Sequence, residues 1–164
     1  MKSSDKMLLG IVAGIVLLVA VALVATLTRP PAEYQTEGSP GGIVHNYLLA
    51  LHEEDFERAY RYLSPSIRCY PSSVAEFTAD VRGNSWSFGR GGESSAWAIE
   101  DAVVRGDEAT VEVAETRFQD RGLFDSGQSF SRFNVELTRE EEEWRIIDGD
   151  RYFVSGDWTS NYCK

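Results

Sequence analysis

Four polar residues in the second half of the chain, Glu115, Arg117, Ser131 and Asp148, carry the chemistry that the sequence offers. A two-residue period brings them together. In "EATVEVAETR", Ala109, Val111 and Val113 share one strand face, and that face continues to Glu115 and Arg117. In the last hairpin, setting Leu137 opposite Trp144 puts Val135 beside Ile146 and Phe133 beside Asp148. One face then reads Ser131, Phe133, Val135, Leu137, Trp144, Ile146, Asp148. The apolar face therefore turns polar at one end, beside the long connection 119–128, "QDRGLFDSGQ". Carboxylates around an arginine can orient a polar ligand, or one acid can serve as a general base. The same residues also make a solvated rim where the sheet leaves the core, with an ion pair worth little. Both readings stand at this level.

Other chemical candidates are explained by structure. His45 and His52, the only histidines, fall off the apolar face of a helix, and no HExxH or HxH spacing points to zinc. "RGD" at 105–107 sits where a hairpin needs glycine and aspartate. "EEEE" at 140–143 is a charged hairpin tip, without the spaced ligands and glycine of a calcium loop. Trp86, Trp97, Trp144 and Trp158 read as core and lid rather than a ligand cage. No motif calls for a cofactor or a metal.

Two kinds of element must position these residues. Strands are expected over 95–104, 109–118, 129–138 and 143–153, as an antiparallel sheet. The first hairpin is inconsistent, since a two-residue turn sends Trp97 and Ile99 away from the apolar face. A bulge in that strand would return them. Before the sheet, Ile43, Val44, Tyr47, Leu48 and Leu51 mark a helix over 41–52. Asp55 caps a second helix with Phe56, Ala59, Tyr60 and Leu63 on its apolar face. The capping box Ser73-x-x-Glu76 opens a third, burying Val74, Phe77 and Val81. Helices first and an antiparallel sheet afterwards make an α+β domain.

The first thirty residues are of another kind. Met7 to Leu27 is an apolar run without charge, Asn, Gln or Pro, and at about 1.5 Å per residue it matches a bilayer's hydrocarbon core of about 30 Å. Residues 1–6 are then a cytoplasmic N-terminus, 7–27 a transmembrane helix, 28–42 a flexible Pro- and Gly-rich linker, and 43–164 the folded domain with its C-terminal tail. Lys2 and Lys6 before the span favour that orientation. A cleaved signal peptide is the alternative, because "AVA" at 20–22 satisfies a small-x-small rule, although the apolar run continues five residues past it. Gly10 and Gly14 form a GxxxG through which two such helices could pair as a homodimer, or they simply face lipid.

Beyond Arg29 the chain holds 25 acidic and 13 basic residues, a formal charge of −12. That balance argues against nucleic acid as a partner, since phosphates would be repelled. Cys69 and Cys163, the only cysteines, can pair as a disulfide if the domain lies outside the cytoplasm. The tail "YFVSGDWTSNYCK" would then lie across the domain, held by Cys163.

"VHNYLLALHEEDFERAYRYLSP", the third capped helix and a sheet ending in "EEEWRIIDGD" together resemble the NTF2-like (cystatin-like α+β cone) superfamily. The likeness is closest to its small membrane-anchored extracytoplasmic domains and covers roughly residues 40–153. It implies three helices packed on a curved antiparallel sheet, with a pocket at the mouth of the cone. The superfamily holds dehydratases, isomerases, assembly subunits and many non-catalytic domains, so fold does not convert into activity. The expectation is a non-catalytic domain at the cell envelope that binds a small apolar ligand or an envelope protein. Its rivals are an isomerase- or dehydratase-type enzyme with a pocket carboxylate of raised pKa, and an assembly subunit with an exposed apolar patch.

Overall fold

The computed structural model of the chain describes residues 3–27, 32–84, 88, 94–120, 126–153 and 158. The chain forms two compact units, Met1–Glu33 and Tyr34–Lys164. The first contains the helix α1 (Ser3–Leu27), 25 residues long. Its described side chains, 10–24, are all apolar and all exposed, Leu17 and Leu18 at 66% and 69%. Among the described residues, taken with their side chains, no helix is long and apolar enough to cross a membrane.

The second unit begins at Tyr34, inside the stretch that composition marks as linker. Gln35 and Asn46 exchange two hydrogen bonds, Gln35 N donating to Asn46 Oδ1 at 2.7 Å and Asn46 Nδ2 to Gln35 O at 2.9 Å. The Arg58 guanidinium lies 3.4 Å from the centre of the Tyr34 ring, and Tyr62 donates to Glu37. Gly42 makes this docking possible, because a Cβ there would come within 2.3 Å of the Thr36 carbonyl. The glycine that weakens the helix start is thus required by a close backbone approach.

Three helices follow. Ser39 caps α2 (Pro40–His52), accepting from Gly42 N, with a proline at the first helical position. Asp55 caps α3 (Phe56–Arg61), and Ser73 caps α4 (Val74–Gly83). Nearly all of α2 is buried, which corrects the expectation for His45: it is half-buried, while His52 is exposed. The docked Tyr34–Glu37 segment covers the side of α2 that simple amphipathicity assigns to water.

Four strands, β1 (Ser94–Arg105), β2 (Glu108–Asp120), β3 (Ser126–Glu140) and β4 (Glu143–Gly149), form an antiparallel sheet in sequence order. Gly106, at φ +66°, and Asp107 make the first hairpin turn, so the RGD tripeptide has a turn role. The β1–β2 register shifts between Ile99 and Asp101. This bulge leaves Glu100 unpaired in the ladder and sets Trp97 opposite Glu115 and Ile99 opposite Val113, so both large side chains face inward as expected.

The last hairpin departs from expectation. Glu141 and Glu142 both adopt positive φ, 48° and 72°, in a tight two-residue turn. Arg139, not Leu137, then lies opposite Trp144, and Leu137 opposite Ile146. A further shift between Glu136 and Leu137 puts Asp148 opposite Glu136, on the other face from Phe133 and Val135. The strand also ends at Gly149 rather than continuing to 153. The free edge of β4 is covered by the chain leaving α3, with Ile146 N donating to Tyr62 O and Ser64 N to Ile146 O.

The core lies between α2 and the sheet. Val44, Tyr47, Leu48 and Leu51 meet Val111, Val113, Phe133, Val135, Leu137, Trp144 and Ile146, each 5% exposed or less. Burial of each such side chain stabilises the fold by about 1.5–3 kcal/mol before entropy is counted. The α4 helix packs against α3, and its Phe77 stacks obliquely on Trp158 at 5.6 Å. Trp158 is 1% exposed and donates from Nε1 to Asp80 Oδ2 at 2.9 Å. Trp86 and Cys163 lie outside the described residues.

Candidate functional site

Alternation along β2 carries Ala109, Val111 and Val113 into the core and brings Glu115 in behind them. Glu115 is 1% exposed. An isolated carboxylate at such a position would be strongly destabilised, so its partners decide what it can do. It has four. Oε1 accepts from Tyr152 OH at 2.6 Å and from Arg117 Nε at 2.8 Å. Oε2 accepts from Arg151 Nη1 at 3.0 Å and from Ser131 Oγ at 3.2 Å. A carboxylate offers about four lone-pair directions, and this one is fully used.

Burial alone would push the Glu115 carboxyl up. Hydrogen bonds from Tyr152 and Arg117, with the charges of Arg117 and Arg151, outweigh it and hold the group below its ordinary value. Burial and the same carboxylate push the Tyr152 phenol up to about 12, against a smaller opposing effect from the Trp97 donor. Burial would lower the Arg117 guanidinium, but the Glu115 bond and charge raise it. Glu115 is therefore anionic, and Arg117 and Tyr152 are in their protonated forms across the physiological range.

Aromatic groups close the site from within. Trp97 Nε1 donates to Tyr152 OH at 3.0 Å, and the two rings meet edge-on at 5.6 Å. Phe133 lies 5.5 Å from the Tyr152 ring, and Tyr47 of α2 donates to the Tyr152 carbonyl at 2.6 Å. Tyr152 thus fills the interior beside Glu115, Trp97 and Phe133.

The structure brings Glu115, Arg117 and Ser131 together and leaves Asp148 apart, where its Oδ1 accepts from Gly149 N. The register shift in the last hairpin removes it. Sequence reasoning missed Arg151 and Tyr152. Both follow the end of β4, and the available signal was the aromatic pair Tyr152-Phe153 just past Gly149, too apolar for a free tail.

Two clefts among the described residues lie elsewhere. One, of about 560 Å³, is lined by Arg61, Leu63, Tyr70, Glu140 and Arg145 among others; the second, of about 260 Å³, runs along Val103 to Thr110. Among the described residues, no group of three or more His, Cys, Asp or Glu is placed to hold a metal ion.

No family model matches the sequence, and no curated protein matches it. Solved structures do. A "putative ketosteroid isomerase" from Shewanella frigidimarina superposes with a TM-score of 0.51 at 16% identity, over 68% of this chain and 93% of that one. An NTF2-like protein with a cystatin-like fold from Novosphingobium aromaticivorans gives 0.45 at 18% identity, over 71% and 80%. A nuclear transport factor 2 (NTF2-like) superfamily protein from Salmonella enterica gives 0.46 at 13%, over 66% and 84%. The domain shares the α+β fold of the Shewanella frigidimarina protein, helices followed by an antiparallel sheet. At these identities the likeness speaks for fold alone.

Proposed function

We propose that the protein is a single-pass membrane protein displaying a non-catalytic NTF2-like binding domain outside the cytoplasm. The observation that carries the binding reading is the state of Glu115. An isomerase- or dehydratase-type mechanism needs a carboxylate that is free to take a proton and has its pKa raised towards working pH. Glu115 instead accepts four hydrogen bonds, is held below its ordinary value, and has Tyr152 seated over it. The fold likeness to an isomerase therefore comes without the corresponding base. Two places for binding remain: the aromatic-lined interior that Tyr152 occupies, for an apolar ligand, or the outer surface, for an envelope protein.

The anchor reading is supported by α1, a 25-residue helix whose described side chains are apolar around the whole circumference. Such a helix needs lipid or an equivalent apolar cover. Expressed with its native N-terminus, the chain should stay in the membrane pellet after alkaline carbonate washing, and residues 34–164 alone should be soluble and folded. Release of the full chain by carbonate would refute the anchor.

The Cys69–Cys163 bridge belongs to the same reading. The Cys69 backbone N–H donates to the Trp158 carbonyl at 2.7 Å, five residues before Cys163 in the chain. A bridge there would fasten the tail that carries Trp158 to the connection after α3.

A second reading, an assembly subunit of an envelope complex, is favoured by Phe130 and Phe118, 76% and 40% exposed on the outer sheet face. Replacing Phe130 with lysine should shift the sedimentation of the detergent-solubilised protein only if this face joins subunits.

A further inference from the structure

Tyr152 is held in the interior as a ligand would be held. It comes from beyond the last strand, β4 ending at Gly149. Its backbone is left-handed, with φ 57°, a region disfavoured for a residue with a Cβ and found where surrounding contacts impose it. The phenol oxygen donates to Glu115 Oε1 and accepts from Trp97 Nε1. Its ring lies against Trp97 and Phe133, and its carbonyl accepts from Tyr47. Trp97, Glu115, Phe133 and Tyr47 belong to β1, β2, β3 and α2. Helix and sheet therefore supply the receptor, and a separate segment supplies the ring that occupies it.

We propose that the interior of this fold is a binding site for a hydroxyaromatic group, filled in the resting chain by Tyr152 and open to a phenolic ligand when that segment withdraws. The chemistry selects the class. Glu115, already given Arg117, Arg151 and Ser131, is completed by one neutral O–H donor. The Trp97 N–H requires an acceptor on that same oxygen. An anion would face the Glu115 carboxylate, and an unsubstituted hydrocarbon ring would leave Glu115 and Trp97 without their buried partner. An aliphatic alcohol would satisfy the oxygen but lose the edge-on ring contacts. The inference rests on the binding reading above and names the ligand class for its apolar interior; it does not depend on the anchor.

The test is Tyr152→Gly in the full chain, which removes the ring and accommodates the left-handed backbone, titrated with p-cresol and with toluene. The expected result is saturable one-to-one binding of p-cresol, with a rise in Tm, at least tenfold tighter than toluene. Adding Glu115→Gln should erase that preference. Equal binding of the two probes would overturn the hydroxyaromatic assignment while leaving an apolar-ligand domain intact. Binding of neither would overturn both the hydroxyaromatic assignment and the apolar-ligand form of the binding reading. If Tyr152→Gly is unfolded, the wild-type chain decides: a shift of the Trp97 indole N–H resonance produced by p-cresol and not by toluene supports the site, and its absence overturns it.

Discussion

Glu115 is the residue on which the interior depends. Its charge is buried, and the two arginines and two hydroxyls around it are what make that burial tolerable. Glu115→Gln removes the charge but leaves Arg117 and Arg151 facing a neutral amide, and removing one partner of a buried pair costs about 3 kcal/mol. Urea denaturation at neutral pH should show that loss. The acid limb should change as well. Because the folded pKa is depressed, the carboxylate's contribution is fully present above its unfolded value of about 4.3 and disappears as pH falls through the lower folded value. The wild type should therefore lose stability below about pH 4.3 more steeply than Glu115→Gln. Parallel acid limbs would show that the four contacts do not stabilise the charged form. Sequence periodicity alone found Glu115, Arg117 and Ser131, because alternation along a regular strand needs nothing else. It could not find Arg151 and Tyr152, which reach the site from irregular backbone where no period applies.

Among the elements, the β1 bulge matters most to the site. Alternation from the Gly106 turn would point Trp97 outward; the unpaired Glu100 reverses this and lets Trp97 meet Tyr152. Deleting Glu100 should restore an unbroken ladder with Trp97 and Ile99 still facing the core, because Ile99 keeps Val113 and Asp101 keeps Glu112 as partners. Deleting Ala98 instead moves Trp97 into the outward position opposite Ala114. The expected outcome for that variant is a red-shifted tryptophan emission and a loss of about 2 kcal/mol, from a large side chain leaving the core. A red shift on deleting Glu100, or none on deleting Ala98, would contradict the role given to the bulge. This irregularity was legible, because the large apolar residues of β1 stood on the wrong face of a regular pairing. The register of the last hairpin was not. Its turn uses Glu141 and Glu142 at positive φ, where glycine or asparagine would have announced a two-residue loop. The slip of two residues preserves alternation and so leaves the apolar face intact; the separate shift that leaves Ile147 unpaired is what moves Asp148 to the other face.

At the scale of the whole molecule, the helix order, the antiparallel meander and the apolar N-terminal run could all be read from hydrophobic period and length. The docking of Tyr34 to Glu37 could not, because Pro-, Gly- and Ser-rich composition reports a lack of periodicity and says nothing of specific hydrogen bonds. Closing the long loop between Cys69 and Cys163 would stabilise the fold by about 4 kcal/mol in the chain-entropy model. Protein recovered from the envelope should then take up alkylating reagent at both cysteines only after reduction, and Cys69→Ser should lower the thermal midpoint; two thiols alkylated without reductant would refute the bridge. The proposed receptor role turns on a carboxylate wholly engaged by the protein's own donors. The most direct measurement is a carbon-13 NMR titration of the Glu115 side-chain carboxyl in the full chain in micelles, assigned with Glu115→Gln. The prediction is a midpoint below the ordinary value of about 4.3, and a midpoint near or above about 6, the range of a working general base, would contradict it.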